Sequence, residues 1–141
     1  MKKYRWMLLP VLLYICIWIL FQSVLFVGIV PSSSMEPTIP TGSVIWGLRL
    51  TKEIQRNDIV VFHYGEKTLV KRVAAVAGDL VYVDDESGSF SVNDPISAAT
   101  RILEVPDGNL FVVGDNRSAS VDSRYWNNPF LASNSVVARV F

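Results

Sequence analysis

Thr68-Leu69-Val70-Lys71-Arg72-Val73-Ala74-Ala75-Val76-Ala77-Gly78-Asp79-Leu80-Val81-Tyr82-Val83 is the stretch that sets the fold class. A run rich in β-branched and apolar residues meets a Gly78-Asp79 turn signal, and a second short run follows. That order reads as strand, turn, strand. The same pattern recurs on both sides. Val44-Ile45-Trp46, Asp58 to Phe62, Phe90 to Val92, Leu110 to Val113 and Val136 to Phe141 read as further strands. Thr41-Gly42, Tyr64-Gly65, Ser87-Gly88, Asp107-Gly108 and Gly114-Asp115-Asn116 punctuate them. Many short strands with Gly/Asp turns predict a mainly β domain, an antiparallel sandwich or partly closed barrel. It covers 31–141, and about 110 residues can bury one modest core.

Toward the N-terminus the pattern changes. Lys2, Lys3 and Arg5 precede a run from Trp6 to Val30 that carries no charged side chain, with Gln22 and Ser23 its clearly polar members. A membrane-crossing helix needs roughly 20 apolar residues. The run therefore predicts one N-terminal transmembrane helix, with the basic cluster on the cytoplasmic side and Trp6 at the inner interface. The division is 1–30 for stub and anchor and 31–141 for an extracytoplasmic domain. A cleaved signal peptide is the alternative. Its apolar core is typically about 7–15 residues and ends in a small-x-small site, whereas this run ends in Val27-Gly28-Ile29-Val30-Pro31.

Composition narrows the function classes. The chain has 141 residues, with 13 basic and 13 acidic side chains that cancel. Without a basic excess there is no electrostatic case for nucleic acid. Cys16 is the single cysteine and lies in the apolar run. An internal disulfide is excluded, and a structural zinc cluster is not expected. No metal or other cofactor is called for.

The candidate chemistry begins at Ser34, in Ser34-Met35-Glu36-Pro37-Thr38 just beyond the apolar run. A hydroxyl there sits at the bilayer surface. Serine needs a base to become a nucleophile. His63, the single histidine, ends a strand and more often would be a surface residue. Lys71 lies mid-strand, on the face shared with Leu69 and Val73. If that face is buried, desolvation favours the neutral amine, which can accept a proton. If it is exposed, Lys71 and Arg72 instead guard an edge strand. Spacing alone leaves both readings open.

Four ordered blocks bear on that choice: Pro31 to Ile39; Asn57 to Phe62; Val70 to Asp79; and Gly114 to Arg124. Together, behind one anchor, they resemble the type I signal peptidases, membrane serine proteases with a Ser/Lys dyad, in a compact single-anchor form. The resemblance implies Ser34 as nucleophile and Lys71 as general base. The Ser34 backbone N–H and the Ser32 hydroxyl would form the oxyanion hole, and Ser120 would hydrogen-bond and aim the Lys71 amine. Arg72 would pair with Asp115, and Asp122 with Arg124, as supporting ion pairs. Val30, Met35, Ile39, Leu69 and Val70 would line shallow pockets for small residues. The implied activity is removal of signal peptides after Ala-x-Ala. The implied partners are signal-peptide-bearing precursors, the lipid bilayer and the secretion translocon, in a cell membrane rather than an organellar inner membrane. Trp46, Trp126 and Phe130 are placed either in the interface or in the core. Asn57 and Ala77 depart from the family pattern, which has glycine and proline there; an asparagine tolerates a left-handed backbone. A specialised precursor peptidase, a soluble self-cleaving Ser/Lys protease and a non-catalytic tethered module are the competing readings.

Overall fold

The computed structural model describes residues 5–49 and 53–141, with the side chains of its long helix described from Leu8 onward. Residues 1–4, including Lys2 and Lys3, and the side chains of Arg5 and Trp6 lie outside the described set. Helix α1 spans Arg5–Val24. Its described apolar side chains are exposed, Leu9 and Tyr14 by about 70% of their surface. Among the described residues, no helix is long and apolar enough to cross a membrane.

The strands follow in chain order. They are β1 (Leu25–Ile29), β2 (Val44–Leu48), β3 (Ile59–Tyr64), β4 (Lys67–Val76), β5 (Leu80–Val83), β6 (Phe90–Val92), β7 (Arg101–Glu104), β8 (Asn109–Val113), β9 (Leu131–Ala132) and β10 (Val136–Val140). Seven of them form one sheet in the order β1-β2-β10-β3-β4-β8-β9, and β6-β5-β7 form a second. All pairings are antiparallel. The expectation of a mainly β antiparallel domain holds, but closure does not. The large sheet has two free ends, β1 and β9, rather than a sealed seam.

The apolar run also divides earlier than its hydropathy indicated. The helix stops at Val24, and Leu25–Ile29 pairs with Val44–Leu48 in the large sheet. Hydropathy does not separate a buried strand from the end of a hydrophobic helix, because both are continuous apolar runs. The helix and the β domain therefore join without a linker. Strands β7 and β9 are likewise absent from the sequence reading. Arg101-Ile102-Leu103-Glu104 sets two adjacent apolar residues between two charged ones, with no alternation over its four positions, and β9 is two residues long.

Burial falls into three adjoining clusters. Val60, Phe62, Val73, Leu110, Val112, Trp126 and Leu131 form one. Val30, Met35, Ile39, Ile45, Val61 and Ala138 form the second, directly beneath Ser34. Ala75, Val81, Val83, Val105, Phe111 and Val113 join the small sheet to the large one. Trp126 is buried, stacked on Tyr64 at 4.1 Å between ring centroids, whereas Trp46 is half exposed. Of the aromatic residues considered for the membrane interface, Trp126 is core and Trp46 is surface.

Asn57 shows how a local departure is absorbed. Its φ is +72°, the left-handed region in which asparagine is among the better-tolerated residues after glycine. In that conformation its N–H donates to the Val73 carbonyl at 2.8 Å, and its own carbonyl accepts from Arg72 Nη1 at 2.9 Å. The turn thereby grips β4 at Arg72 and Val73.

Candidate active site

Ser34 sits in a short 3-10 turn, Ser33–Met35, that follows β1 directly. Its position is held from below and from the side. Met35 is fully buried beneath it, and the Ser34 carbonyl accepts from the Asn116 N–H at 3.0 Å. The loop beyond is closed by Glu36, whose carboxylate accepts from the Thr41 N–H at 3.1 Å and the Thr41 hydroxyl at 2.7 Å.

Lys71 lies on β4, where Val60 is its partner across the β3–β4 pair. Only 4% of the residue is exposed, and Ser34 is 7% exposed. Lys71 Nζ donates to Ser34 Oγ at 2.7 Å, across 37 residues of chain. Burial is the largest influence on the amine and holds it below an ordinary lysine. The Asp122 charge pulls the other way, and Arg124 adds to the lowering. The buried alternative raised from spacing is therefore the observed one, and the edge-guarding alternative is not. His63 is exposed, and its Nδ1 is paired with the Thr68 hydroxyl at 3.2 Å rather than with Ser34.

The surrounding expectations divide. Ser32 Oγ lies 3.4 Å from Ser34 Oγ, within hydrogen-bond distance. Arg72 grips Asp115 with two bonds, Nε to Oδ1 at 2.8 Å and Nη2 to Oδ2 at 2.6 Å, and this holds the Asp115 carboxyl below the usual carboxylate range. Arg124 and Asp122 form the deepest pair, with side chains 2% and 0% exposed and Nε to Oδ1 at 2.9 Å. Burial pushes the Asp122 carboxyl up. Bonds from Arg124, the Gly114 N–H and the Ser120 hydroxyl outweigh that and hold it low.

Ser120 is the first correction. Its hydroxyl donates to Asp122 Oδ2 at 2.6 Å and is not bonded to the Lys71 amine. A carboxylate is the stronger acceptor for a buried hydroxyl, so Ser120 faces the ion pair. Met35 and Ile39 are the second. Both belong to the core beneath the site and do not line the cleft at the dyad. That cleft, of about 350 Å³, does hold Val30, Leu69 and Val70, together with Phe26, Gly28, Ile29, Ile45 and Val61. Its two walls are β1 and the first half of β4. Both present unpaired edges there: β1 ends the sheet, and β8 pairs with β4 only from Arg72 onward.

Sequence reasoning missed the part played by Gly114. A Cβ built there would lie 2.5 Å from both the Ser120 Cβ and the Ser34 carbonyl oxygen. Those two atoms are thus within about 5 Å of each other, and only a residue without a side chain fits between them. The signal lay in the sequence as a glycine beginning the last motif, but its neighbours are visible only in three dimensions.

A family model described as "Signal peptidase, peptidase S26" matches residues 3–99 and 89–141. The chain belongs to this signal peptidase family. A probable thylakoidal processing peptidase 2 of Arabidopsis thaliana is 33% identical over 135 residues, covering 79% of this chain and 36% of that protein. A signal peptidase I of Bacillus caldolyticus is 30% identical over 138 residues, covering 79% of this chain and 75% of its own length. The chain thus spans 36% to 40% of the thylakoidal relatives and more of the bacterial one. A solved signal peptidase I from Enterococcus faecalis V583 matches with 27% identity and a TM-score of 0.47, over 64% of this chain and 98% of that one. As a signal peptidase family member, the chain carries its buried serine–lysine contact where the four sequence blocks converge.

Proposed function

We propose that the protein is a membrane-anchored serine endopeptidase that removes signal peptides from exported precursors after small residues. The 2.7 Å contact between two buried groups, Lys71 Nζ and Ser34 Oγ, carries this reading. With the amine neutral, the contact runs in reverse: the hydroxyl donates, and the lysine takes the proton as the oxygen attacks a peptide carbonyl. The lysine returns the proton to the amine that departs as the peptide bond breaks, and then takes a proton from a water whose oxygen cleaves the Ser34 ester and frees the signal peptide. The Ser34 N–H and the Ser32 hydroxyl receive the developing oxyanion, a contribution of about 3–4 kcal/mol for a well-placed donor. Arg124–Asp122 and Arg72–Asp115 fix the last loop and β4 around the dyad. Ser120 holds Asp122 in place, and the Asp122 charge raises the amine's pKa against the lowering by burial.

The open edges of β1 and β4 suit an extended substrate strand inserted between them, bound through its backbone. Val30, Leu69 and Val70 leave shallow space beside the dyad, which favours alanine at the cleaved position and excludes large side chains by clash. Taken over its whole length, α1 has 20 residues, a rise of about 30 Å, matched to a hydrocarbon core. No charge occurs between Trp6 and Val24. Beside it, Val27, Ile29, Val44, Trp46 and Phe141 are each at least half exposed and apolar. Val27 pairs with Trp46 and Ile29 with Val44 across one face. Helix and face together support a single-pass anchor with the β domain resting on the outer leaflet, where precursors emerge from a translocon.

The test is direct. Detergent-solubilised protein is mixed with a precursor bearing Ala-x-Ala, and the products are sequenced from their N-termini. Wild type cleaves after the second alanine; Ser34→Ala and Lys71→Ala do not. Cleavage that persists in Ser34→Ala, or that survives Lys71→Ala and is lost in His63→Ala, refutes the assignment.

A further inference from the structure

On the far side of Ser120 from the β1–β4 cleft lies a second, larger groove of about 940 Å³. One wall is the loop Arg117–Val121 with Arg124 and Tyr125, and the other is the hairpin segment Ser87–Phe90. The walls are fastened together. Arg124 Nη1 donates to the Gly88 carbonyl at 2.9 Å, and Gly88, at φ +68°, leaves space that the Tyr125 hydroxyl fills. The groove is therefore a built feature rather than a gap between mobile loops.

Its electrostatics are one-sided. None of its lining residues is acidic. Arg124 is neutralised by Asp122, and its nitrogens are committed to Asp122, Gly88, Arg117 and Ser120 oxygens. Arg117 differs. Its guanidinium donates from Nη1 to the Gly114 carbonyl at 2.9 Å and lies 4.8 Å over the Phe90 ring. Among the described residues it has no carboxylate within ion-pair distance. It is exposed yet held by a hydrogen bond and an aromatic face, so little side-chain entropy remains to be lost on binding an anion.

The groove also approaches the backbone of Ser34. Ser120 lines it, and the Ser120 Cβ is within about 5 Å of the Ser34 carbonyl oxygen. An extended chain advances about 3.3 Å per residue. If the segment before the scissile bond lies in the β1–β4 cleft, the segment after it enters this groove within a few residues.

We propose that the groove receives the polypeptide on the leaving side of the scissile bond, and that Arg117 selects for a carboxylate side chain within its first residues. The proposal rests on the reading of Ser34 as the nucleophile. Arg117 is a specificity-determining residue in this account and takes no part in bond breaking. Its planar fork suits a carboxylate bidentately, and the serine hydroxyls of the opposite wall add polar contacts.

The experiment uses the full chain in detergent and three precursors for each of the first three positions after the cleaved bond, identical except for Glu, Gln or Lys there. Wild type is expected to favour Glu over Lys at one of the positions by about 3- to 10-fold in kcat/KM, chiefly through KM. The preference shrinks in roughly 1 M salt. In Arg117→Gln the Glu/Lys ratio falls to near one, in Arg117→Lys part of it remains, and in Arg117→Glu it inverts. Because each ratio compares substrates on one variant, a uniform loss of rate or folding cancels. A wild-type ratio of one at all three positions, or a ratio that survives Arg117→Gln, overturns the proposal while leaving the peptidase reading intact. Absence of any Ser34-dependent cleavage, Gln precursors included, overturns both.

Discussion

Gly114→Ala keeps every candidate catalytic group and should nevertheless disable the site. The new methyl would stand 2.5 Å from the Ser34 carbonyl oxygen and from the Ser120 Cβ. Unstrained contacts of this kind are about 3.5 Å, so atoms must part by roughly 0.5–1 Å. The Ser120 hydroxyl also lies against it and is tied to Asp122 at 2.6 Å, while the other two obstacles are backbone and the Cβ of a buried serine. The loop itself must move, and with it go the Asn116 N–H bond to the Ser34 carbonyl and the Gly114 N–H bond to Asp122, at 3.0 and 2.9 Å. Overpacking of this size costs about 1–3 kcal/mol of stability. A misplacement near 1 Å at a reacting centre costs on the order of 10²-fold in rate. The assay is kcat/KM on an Ala-x-Ala precursor, with urea unfolding of the same preparation. Val81→Ala is the control, since Val81 is fully buried in the cluster under the small sheet and its truncation costs a similar stability. Val81→Ala should keep near-wild-type kcat/KM well below its melting temperature, while Gly114→Ala should not. A Gly114→Ala enzyme within twofold of wild type, or a Val81→Ala enzyme equally impaired, refutes the packing argument.

Three further outcomes follow from the charges around the dyad. With the neutral form of Lys71 as the proposed base, kcat/KM should rise with pH through the lysine's lowered pKa; a profile flat from about pH 5 to 9 contradicts the proposal. Asp122→Asn removes the charge that raises that pKa and leaves Arg124, which lowers it, so the acid limb moves to lower pH in whatever activity remains. The same substitution breaks a buried ion pair and should cost about 3–5 kcal/mol in urea unfolding; a stable variant, or an acid limb moved upward, counts against the arrangement. Lys71→Met is inactive but more stable than wild type at neutral pH. The unfolded chain binds a proton at Lys71 more readily than the folded one, so wild-type stability gains with pH between the lowered folded pKa and the unfolded value near 10.4. The advantage of Met is therefore full below that window and lost across it, and an unchanged difference between pH 7 and 10 contradicts the linkage.

The large hydrophobic elements were legible because their signals are local. Alternating apolar residues with Gly/Asp turns predicted β2, β3, β4, β5, β6, β8 and β10. Asn57 could be expected in a left-handed turn, as its φ of +72° bears out. The helix-to-strand change at Leu25 was not legible, because Leu25–Ile29 is as apolar as the helix before it and becomes a strand only by pairing with Val44–Leu48. The open sheet is likewise a matter of which edges find partners.

The site follows the same division. Its residue types lie in three of the four short blocks of sequence, which hold a serine, a lysine and two Arg–Asp pairs. Whether Lys71 was buried base or surface guard rested on what covered it, and that came from β3 and the Ser33–Met35 turn, distant in sequence. Ser120 bonds Asp122 instead of Lys71, and Met35 and Ile39 fill the core instead of the cleft, because direction in space is set by neighbours that spacing does not name. Local pattern thus determined the strands and the inventory of reactive groups; long-range packing alone decided which of those groups meet and which way burial shifts them.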